Sequence, residues 1–345
     1  MIRDIFSKNN RTGIYIAEIG LNHNGDFDSA VRMIDSAKDA GADAVKFQTF
    51  MPESMNSIYT TALLNSGFEE FKDTSQVDFF SKFCFGRDEY STLKKHADDL
   101  GLVFFSSPFD GTSVEILEEI DVPLYKVASS EVTNHILLKK IGATGKPVLI
   151  STGISSEYEI SMAVDLLRSS GAGDMALMHC VSLYPAGSEV LNLKRIVSLR
   201  EKFGFEMGFS DHSRGIDAAV IAAALGARIF EKHFMLDRNQ ACPDREVSVT
   251  GEEFRKMISS LEVSFSMMGD GEISCGDCES GVARAARRSL FAGRPIPRGK
   301  AIEHDDLVAL RPGTGIPVYE MDDILGRVSR VDIGEGYMIK RIDLE

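Results

Sequence analysis

The sequence predicts a (β/α)8 barrel of the α/β class, the TIM-barrel type, followed by a second and smaller domain. In a recurrent phrase a helical pattern ends in Gly and a short apolar run follows, as in GADAVKF (41–47) and GARIFEKHF (226–234). Eight such apolar runs, most of them separated by helical patterns, fill about 260 residues, as eight βα units would. The composition then changes near residue 270.

The strands are expected near residues 14–18, 44–48, 102–106, 124–127, 147–151, 175–180, 206–210 and 228–232. Asp26 or Asp28 can cap the helix after the first strand, and Thr250 with Glu253 has the spacing of a capping box before the last helix. An open, doubly wound sheet is the alternative fold, but no glycine-rich nucleotide turn follows the first strand.

A linker is expected between the two domains, because residues 268–281 (MGDGEISCGDCESG) are rich in Gly, Ser and Asp and have no apolar period. The segment from residue 283 onward has 11 basic and 10 acidic residues, whereas the first 282 residues have 27 basic and 42 acidic ones. We therefore expect a barrel over residues 1–268, a linker over 269–282 and a small domain over 283–345.

The overall composition excludes several classes of protein. A net charge of -14 and a pI near 5.1 argue against nucleic acid as a partner. The longest nearly uninterrupted apolar run, 218–227, is too short to cross a membrane, and the charged N-terminus shows no secretory signal. Five cysteines are too few and too odd in number for a disulfide framework, and Cys275 with Cys278 is a lone CxxC. These features predict a reduced, cytoplasmic protein.

Reactive side chains accumulate at the carboxyl ends of the expected strands, where a barrel of this type has its active site. They are, strand by strand, Glu18, Asn22 and His23; Lys46 and Gln48; Ser106 and Ser107; Lys126, Ser129 and Glu131; Ser151; His179 and Tyr184; Ser210, Asp211 and His212; and Glu231, Lys232 and His233. Any one of them could be structural, but their accumulation at one end of one fold predicts an enzyme.

Two histidines at neighbouring strand ends indicate a metal site. His212 and His233 can share one divalent cation, with Glu18 or water completing an oxygen-rich shell that suits manganese. The alternative is that each imidazole bonds a backbone carbonyl.

Lysines and serines at the strand ends indicate an anion site. Lys46 and Lys126 can bind a phosphorylated anion together with the hydroxyls of Ser106, Ser107, Ser129 and Ser151. The serines could instead cap the helices that follow. Glu131 and Asp211 supply carboxylates for proton transfer.

Whole phrases of the sequence resemble one enzyme family. They are IAEIGLNHNGD (16–26), GADAVKFQTF (41–50), FSSPFD (105–110), YKVASSEVTN (125–134), STG (151–153), HCVSLYP (179–185), GFSDHSRG (208–215) and EKHFMLD (231–237). Over nearly its whole length the chain resembles the bacterial sialic acid synthases. The tail, 287–316, is similar to the small, β-rich antifreeze-like (SAF) domain of that family.

The resemblance implies condensation of phosphoenolpyruvate with an N-acetylated amino-sugar aldehyde, either N-acetylmannosamine or a 2,4-diacetamido-trideoxyhexose. The products would be a nine-carbon sialic-acid-type 2-keto acid and phosphate, released by C–O cleavage. A divalent cation, Mn²⁺ with Mg²⁺ or Co²⁺ as alternatives, would be bound by His212 and His233 and would polarise the aldehyde.

The resemblance also implies roles for the other site residues. Phosphoenolpyruvate would bind Lys46, Ser106, Lys126, Ser129 and Ser151; Glu131 would lie between the reactants, Glu18 near the metal-bound water, and Tyr184 and Asp244 near the sugar. We also count Gln48, Ser107, Ser182 and Ser210 among the substrate contacts.

The tail is expected to complete the site. Arg311 lies in RPGTGI (311–316), where Pro312, Gly313 and Gly315 favour a tight, defined loop. The linker could let this loop reach the barrel of its own chain or that of a neighbour, or Arg311 could merely pack the tail. The resemblance favours a domain-swapped homodimer in which Arg311 reaches the sugar site of the other subunit.

The identity of the sugar stays open. The loop FEEFKDTSQVDFF (68–80) has no Asn just before Ser75, HCVSLYPAG (179–187) differs from the commoner Thr-containing form, and Arg245 follows Asp244 in CPDRE (242–246). Synthesis of neuraminic, legionaminic or pseudaminic acid is compatible with these differences.

Two other classes of function compete. A Schiff-base aldolase using Lys126 would need no metal, and borohydride would trap its covalent adduct. The paired histidines and the second lysine argue against it. A carbohydrate-binding or ice-binding protein is suggested only by the tail, and it leaves the reactive strand ends unexplained.

Overall fold

The computed structural model describes residues 2–5, 11–55 and 75–345. The chain divides into two compact units, Met1–Gly269 and Asp270–Glu345. Among the described residues, no helix has both the length and the apolar character that a membrane crossing requires.

Parallel strands close into a barrel in chain order, and the last strand pairs with the first. They are β1 (Ile14–Gly20), β2 (Ala44–Thr49), β3 (Val103–Pro108), β4 (Tyr125–Val127), β5 (Val148–Ser151), β6 (Met175–Cys180), β7 (Glu206–Asp211) and β8 (Ile229–His233). Each strand lies at or beside its expected position. The barrel prediction is confirmed, and the open-sheet alternative is wrong.

Helices cover the barrel, and their boundaries follow from local sequence. They are α1 (Ile2–Ile5), α2 (Phe27–Ala40), α3 (Pro52–Met55), α4 (Gln76–Phe80), α5 (Arg87–Asp99), α6 (Gly111–Glu119), α7 (His135–Gly142), α8 (Glu157–Ser169), α9 (Arg195–Phe203), α10 (Asp217–Ala224) and α11 (Gly251–Met268). Asp26 caps α2 by accepting the Ser29 N–H, and Gly41 ends that helix at a φ of 93°. Thr250 and Glu253 form the expected capping box of α11.

Side chains of each strand alternate between the two sides of the barrel wall, because their period is two. One side packs against the helices, in a cluster that includes Tyr15, Val45, Phe104, Phe209 and Phe230. The other side fills the barrel with a separate apolar cluster of Ile14, Ile16, Ala44, Phe105, Leu124, Leu149, Ala176, Met178 and Ile229, joined by Ile2 of α1. Polar inward residues follow this cluster along the strands, toward the carboxyl ends.

The second unit is built from short elements. After α12 (Ser280–Ala286), β9 (Ser289–Ala292) pairs antiparallel with β10 (Leu307–Leu310). Its core is rich in isoleucine, with Ile296, Ile302, Ile316, Ile324, Ile333 and Ile339 buried together. The buried Asp306 accepts hydrogen bonds from Arg294 and Lys300.

Candidate active site

A cavity of about 290 Å³ opens at the carboxyl ends of the barrel strands. It is lined by most of the side chains predicted from the sequence: Glu18, Lys46, Gln48, Ser107, Lys126, Ser129, Ser151, Ser182, Tyr184, Ser210, His212, His233 and Asp244. Every strand, or the loop directly after it, contributes to this lining. The cavity therefore lies where barrel enzymes have their active sites.

The two-residue period of the strands decides which side chains enter the cavity. Lys46 and Gln48 in β2 are two positions apart, as are Glu231 and His233 in β8, and all four line the cavity. Lys232, between the two cavity residues of β8, faces the opposite side of the wall and is completely buried there.

Two lysines and two glutamates form the buried, charged part of the cavity. Lys46 Nζ lies 2.9 Å from Glu18 Oε2 and 3.6 Å from Glu231 Oε1. Lys126 Nζ lies 3.7 Å from Glu231 Oε2, so Glu231 stands between the two ammonium groups. The side chains of all four residues are at most 4% exposed. Each lysine thus lies within ion-pair distance of a carboxylate.

Neighbouring charges set the ionisation of this group. Burial would raise the pKa of Glu231, but Lys126 and Lys46 outweigh burial and hold the pKa at about 2. Burial also opposes the charged form of Lys46, yet Glu18 and Glu231 raise its pKa above the ordinary value. For Lys126, burial prevails over Glu231 and lowers the pKa. An incoming anion therefore competes with the ionised Glu231 carboxylate for the lysines.

Hydroxyl groups surround the lysines. Lys126 donates to Ser151 Oγ at 2.6 Å and Lys46 donates to Ser107 Oγ at 3.2 Å. A Cβ at Gly153 would collide with the hydroxyls of Ser129 and Ser182, so the loop after β5 approaches them closely only because it has no side chain there. Several hydroxyl donors can thus reach an oxyanion bound between the lysines.

The imidazoles lie together beside Tyr184. The ring centroids of His212 and His233 are 5.3 Å apart, and Tyr184 stacks on His212 at 4.1 Å. His212 Nδ1 is 2.8 Å from Val181 O, which fixes Nδ1–H as the donor and turns Nε2 toward the Tyr184 hydroxyl at 2.9 Å. Fixing one nitrogen on a carbonyl while the other faces a cavity is the usual arrangement of a metal-binding histidine.

His212 and His233 suit a divalent cation that keeps some of its coordination positions open. His233 Nδ1 is buried and makes no hydrogen bond of acceptable geometry, although Asp244 Oδ2 is 3.2 Å away. In the part of the chain that the structure describes, no three His, Cys, Asp or Glu side chains form a ready-made metal cluster. A cation here would be held by two imidazoles, and its remaining positions would be left to water or substrate oxygen, which suits an octahedral ion.

Four predicted site residues lie outside the cavity lining. Ser106 faces the helices and shares a 2.8 Å hydrogen bond with Thr49 Oγ1, because it is one position out of phase with Ser107. Asp211 also faces outward, toward Lys232. Glu131 is in the turn after Ser129 and accepts a hydrogen bond from Asn134. Arg311 belongs to the second unit, where its Nε donates to Ala286 O.

Asp244 is positioned by a residue that is distant in sequence but lies at the same end of the barrel, because β1 pairs with β8. Asn22, after β1, accepts the Asp244 N–H at 3.1 Å and donates to Phe234 O and to Ser248 Oγ. These bonds hold the loop after β8 over the His233 side of the cavity. The loop segment 68–74, which bears on the choice of sugar, lies outside the described residues.

Glu231, Asn22 and Cys180 are among the residues of the site that sequence reasoning missed. Glu231 and Asn22 were noticed as strand-end residues, but no role was predicted for them. Cys180, for which the sequence predicts no role, lines the cavity with its Sγ 3.5 Å from His212 Nδ1. Side chains two positions apart in a strand face the same side, so the position of His233 predicts that Glu231 lines the cavity. The same spacing leads from Ser182 back to Cys180.

Comparison with known proteins shows the family of the chain. The model of the NeuB family matches residues 33–273, and that of the SAF domain matches residues 287–345. The chain is 34% identical to the N,N'-diacetyllegionaminic acid synthase of Campylobacter jejuni, over 95% of this chain and 98% of that one. It is 35% identical to the pseudaminic acid synthase of the same organism, over 96% of both chains.

A solved structure gives the same picture. The N-acetylneuraminic acid (sialic acid) synthetase of Leptospira borgpetersenii, crystallised in complex with citrate, is 34% identical and superposes with a TM-score of 0.71. The match covers 79% of this chain and 91% of that one. The resemblance drawn from the sequence phrases is confirmed: the chain belongs to the NeuB family, and its tail is a SAF domain.

Proposed function

We propose that this chain condenses phosphoenolpyruvate with an open-chain N-acetylated amino-sugar aldehyde, giving a nine-carbon 2-keto acid and phosphate. One observation carries the proposal: a single cavity holds two buried lysines balanced by carboxylates and, beside them, two histidines. An anion site next to a carbonyl-binding site is what this reaction requires. The names of the two Campylobacter jejuni relatives support the class of product.

Phosphoenolpyruvate would bind on the lysine side. Its phosphate and carboxylate would take the place of Glu18 and Glu231 as partners of Lys46 and Lys126, and the Ser151 hydroxyl would add a donor. Charge-assisted hydrogen bonds of this kind are roughly twice as strong as neutral ones. Because the lysines are already desolvated and held in place, they lose little freedom on binding.

The aldehyde would bind on the histidine side, near Tyr184 and Asp244. A divalent cation such as Mn²⁺, bound by His212 and His233, would supply Lewis acidity toward the aldehyde oxygen. Tyr184 is held by stacking on His212, and Asp244 by the Asn22 amide, so both present fixed groups to the sugar.

The bond changes follow from the two substrates. Carbon 3 of phosphoenolpyruvate forms a C–C bond with the aldehyde carbon, and the aldehyde oxygen becomes a hydroxyl, its proton balanced by one of the two that the attacking water loses. Water adds at carbon 2, and phosphate leaves as the C–O bond breaks and the ketone forms. We assign the proton of that water to Glu18, which is buried, lines the cavity and accepts a hydrogen bond from Gln48 at 3.1 Å.

The decisive assay is phosphate release from phosphoenolpyruvate with a panel of aldehydes. The panel contains N-acetylmannosamine and 2,4-diacetamido-trideoxyhexoses of different configuration, each with Mn²⁺ or with a chelator. We expect release only when both substrates and the cation are present, and the favoured sugar identifies the product. Phosphoenolpyruvate with ¹⁸O in the bridging position should yield labelled phosphate, because the C–O bond breaks.

Two controls separate this proposal from a Schiff-base aldolase. At a phosphoenolpyruvate concentration near the wild-type KM, Lys126→Met should strongly reduce phosphate release. Lys146→Met, which changes a lysine paired with Glu118 and Asp121 elsewhere on the barrel, should leave it intact. If pyruvate replaces phosphoenolpyruvate and borohydride traps an adduct on Lys126, the condensation is wrong and the aldolase is right.

A further inference from the structure

A completely buried ion pair joins β7 and β8 on the helix-facing side of the wall. Lys232 Nζ lies 3.0 Å from Asp211 Oδ2 and donates to Ser213 O at 2.6 Å. Neither side chain is more than 2% exposed. Asp211 and Lys232 are directly paired in the strand register, at the last rung before the strands separate.

The second oxygen of Asp211 binds the chain just beyond β7. Asp211 Oδ1 accepts the Ser213 N–H at 2.8 Å and the Ser213 hydroxyl at 2.6 Å. Lys232 and Asp211 therefore hold the backbone before and after His212, which lies between Asp211 and Ser213 in the chain. His233 directly follows Lys232, so the same network also holds the residue before the second imidazole.

The backbone carbonyls of both histidines are fixed as well, but by other loops. His212 O accepts the Ala186 N–H at 2.9 Å, and His233 O accepts the Val249 N–H at 2.8 Å. These bonds hold each histidine to a different neighbour. Two sets of side-chain hydrogen bonds in the described residues link the ends of β7 and β8 directly. On the cavity side the Ser210 hydroxyl donates to Glu231 at 2.9 Å, and on the helix-facing side the Lys232 network joins the residues directly adjacent to the two histidines.

An ion pair is an expensive way to fill this position. Burying a lysine and an aspartate removes both from water, and well-packed apolar residues of similar volume are often as stable or more stable. Packing alone therefore does not account for the pair. The direction of the hydrogen bonds does account for it. The pair bonds three groups of Ser213, namely its carbonyl, its N–H and its hydroxyl, and charge-assisted bonds of this kind fix the backbone more narrowly than apolar contacts do.

We propose that Lys232, Asp211 and Ser213 form a positioning network that sets the separation and direction of the His212 and His233 rings. Its consequence for cation binding rests on the function proposed above. Outer groups that orient metal ligands typically change metal affinity 10- to 100-fold when they are removed. The Lys232 network acts less directly than such groups, because it holds the backbone beside the two histidines.

The test uses Lys232→Met, which keeps the length of the side chain, and the double variant Lys232→Met with Asp211→Asn, which buries no net charge. Mn²⁺ is titrated into the metal-stripped full-length protein and the free ion is followed by EPR. Thermal melting of the same samples reports stability. Carbon-13 labelled histidine rings report the imidazoles by NMR without any metal. Lys146→Met is the matched control.

We expect Lys232→Met to lower the melting temperature, to weaken Mn²⁺ binding at least tenfold and to shift the ring signals of His212 and His233. The signals of His96 and His304 should stay in place. In the double variant the melting temperature should recover, whereas the affinity and the ring signals should not. The double variant also keeps the test available if the single one does not fold.

Two results would overturn the network. The first is unchanged ring signals of His212 and His233 in either folded variant. The second is Mn²⁺ affinity that recovers together with stability in the double variant, because such a recovery would mean that the pair contributes only to stability. A third result separates the two proposals. If wild-type protein binds no Mn²⁺ but the ring signals still move, the network stands and the cation of the proposed function is wrong.

Discussion

Replacing Glu231 by Gln removes one charge from a site in which two lysines are balanced by two glutamates. The amide keeps the shape of the side chain, and its oxygen can still accept a hydrogen bond from the Ser210 hydroxyl, which lies 2.9 Å from Glu231 Oε1 in the wild type. Lys126 and Lys46, 3.7 and 3.6 Å from the carboxylate, lose a shared counter-charge. The variant should therefore be less stable when empty and should bind anions more tightly.

The size of the effect follows from burial. Removing one partner of a buried ion pair costs about 3–5 kcal/mol. Lys126 can relieve part of this by releasing its proton, because burial already lowers its pKa. The lower figure of about 3 kcal/mol is therefore expected, and at about 2–4 °C per kcal/mol it corresponds to a melting temperature about 6–12 °C below that of the wild type.

The assay is thermal melting across a series of phosphate concentrations, without substrate or metal. Phosphate binds the folded site and raises the melting temperature, and each additional 1.4 kcal/mol of stabilisation at a fixed concentration corresponds to about tenfold tighter binding. We expect a larger phosphate-induced rise in Glu231→Gln than in the wild type. Glu157→Gln is the control, because Glu157 pairs with Lys202 at the surface.

Either of two results would refute this reasoning. A Glu231→Gln protein that melts at the wild-type temperature would show that the lysines need no counter-charge from this carboxylate. A phosphate-induced rise no larger than that of the wild type would show that Glu231 does not compete with anions for the lysines.

Three further predictions concern the same site. Lys46→Met and Lys126→Met should each raise the KM for phosphoenolpyruvate about tenfold or more, because each loses a charged hydrogen bond of about 1.5–3 kcal/mol. An unchanged KM would show that the residue is not part of the anion site. Mixing inactive His233→Ala with inactive Arg311→Ala should restore part of the activity if Arg311 acts from a second subunit; mixed dimers without activity would rule this out. Because the folded pKa of Glu231 lies at about 2, below the ordinary 4.5, its stabilising contribution is present above pH 4.5 and is lost as the pH falls toward 2. Acid titration followed by circular dichroism should therefore show a smaller loss of stability in Glu231→Gln, and equal losses would contradict the assignment.

The positions of the strands could be predicted because each one is a short apolar run bounded by Gly or polar residues. Their carboxyl ends could be predicted as the site for the same reason, since the polar residues begin where the apolar run stops. Lys46, Lys126, His212 and His233 all follow from this rule. The direction of a side chain at a strand end did not follow as easily.

Both faces of a barrel strand are buried, so apolar residues do not alternate with polar ones and the phase of the strand is hidden. Ser106 and Ser107 illustrate the difficulty: both are buried serines at one strand end, but only Ser107 lines the cavity. For the same reason the sequence does not reveal that Asp211, expected to supply a carboxylate, faces outward toward Lys232, whereas Glu231, for which no role is predicted, lines the cavity. Contacts between neighbouring strands, which no single run contains, reveal the phase.

The alternation in β8 has a consequence for the kinds of genetic change that this chain can absorb. Glu231, Lys232 and His233 alternate between the cavity and the opposite side of the wall, so a point mutation replaces a side chain on one side only. An insertion or deletion of a single codon within β8 would instead exchange the two sides, placing an ammonium group in the cavity and imidazole among the helices. Mutant libraries at this strand should accordingly tolerate substitutions far better than changes of length.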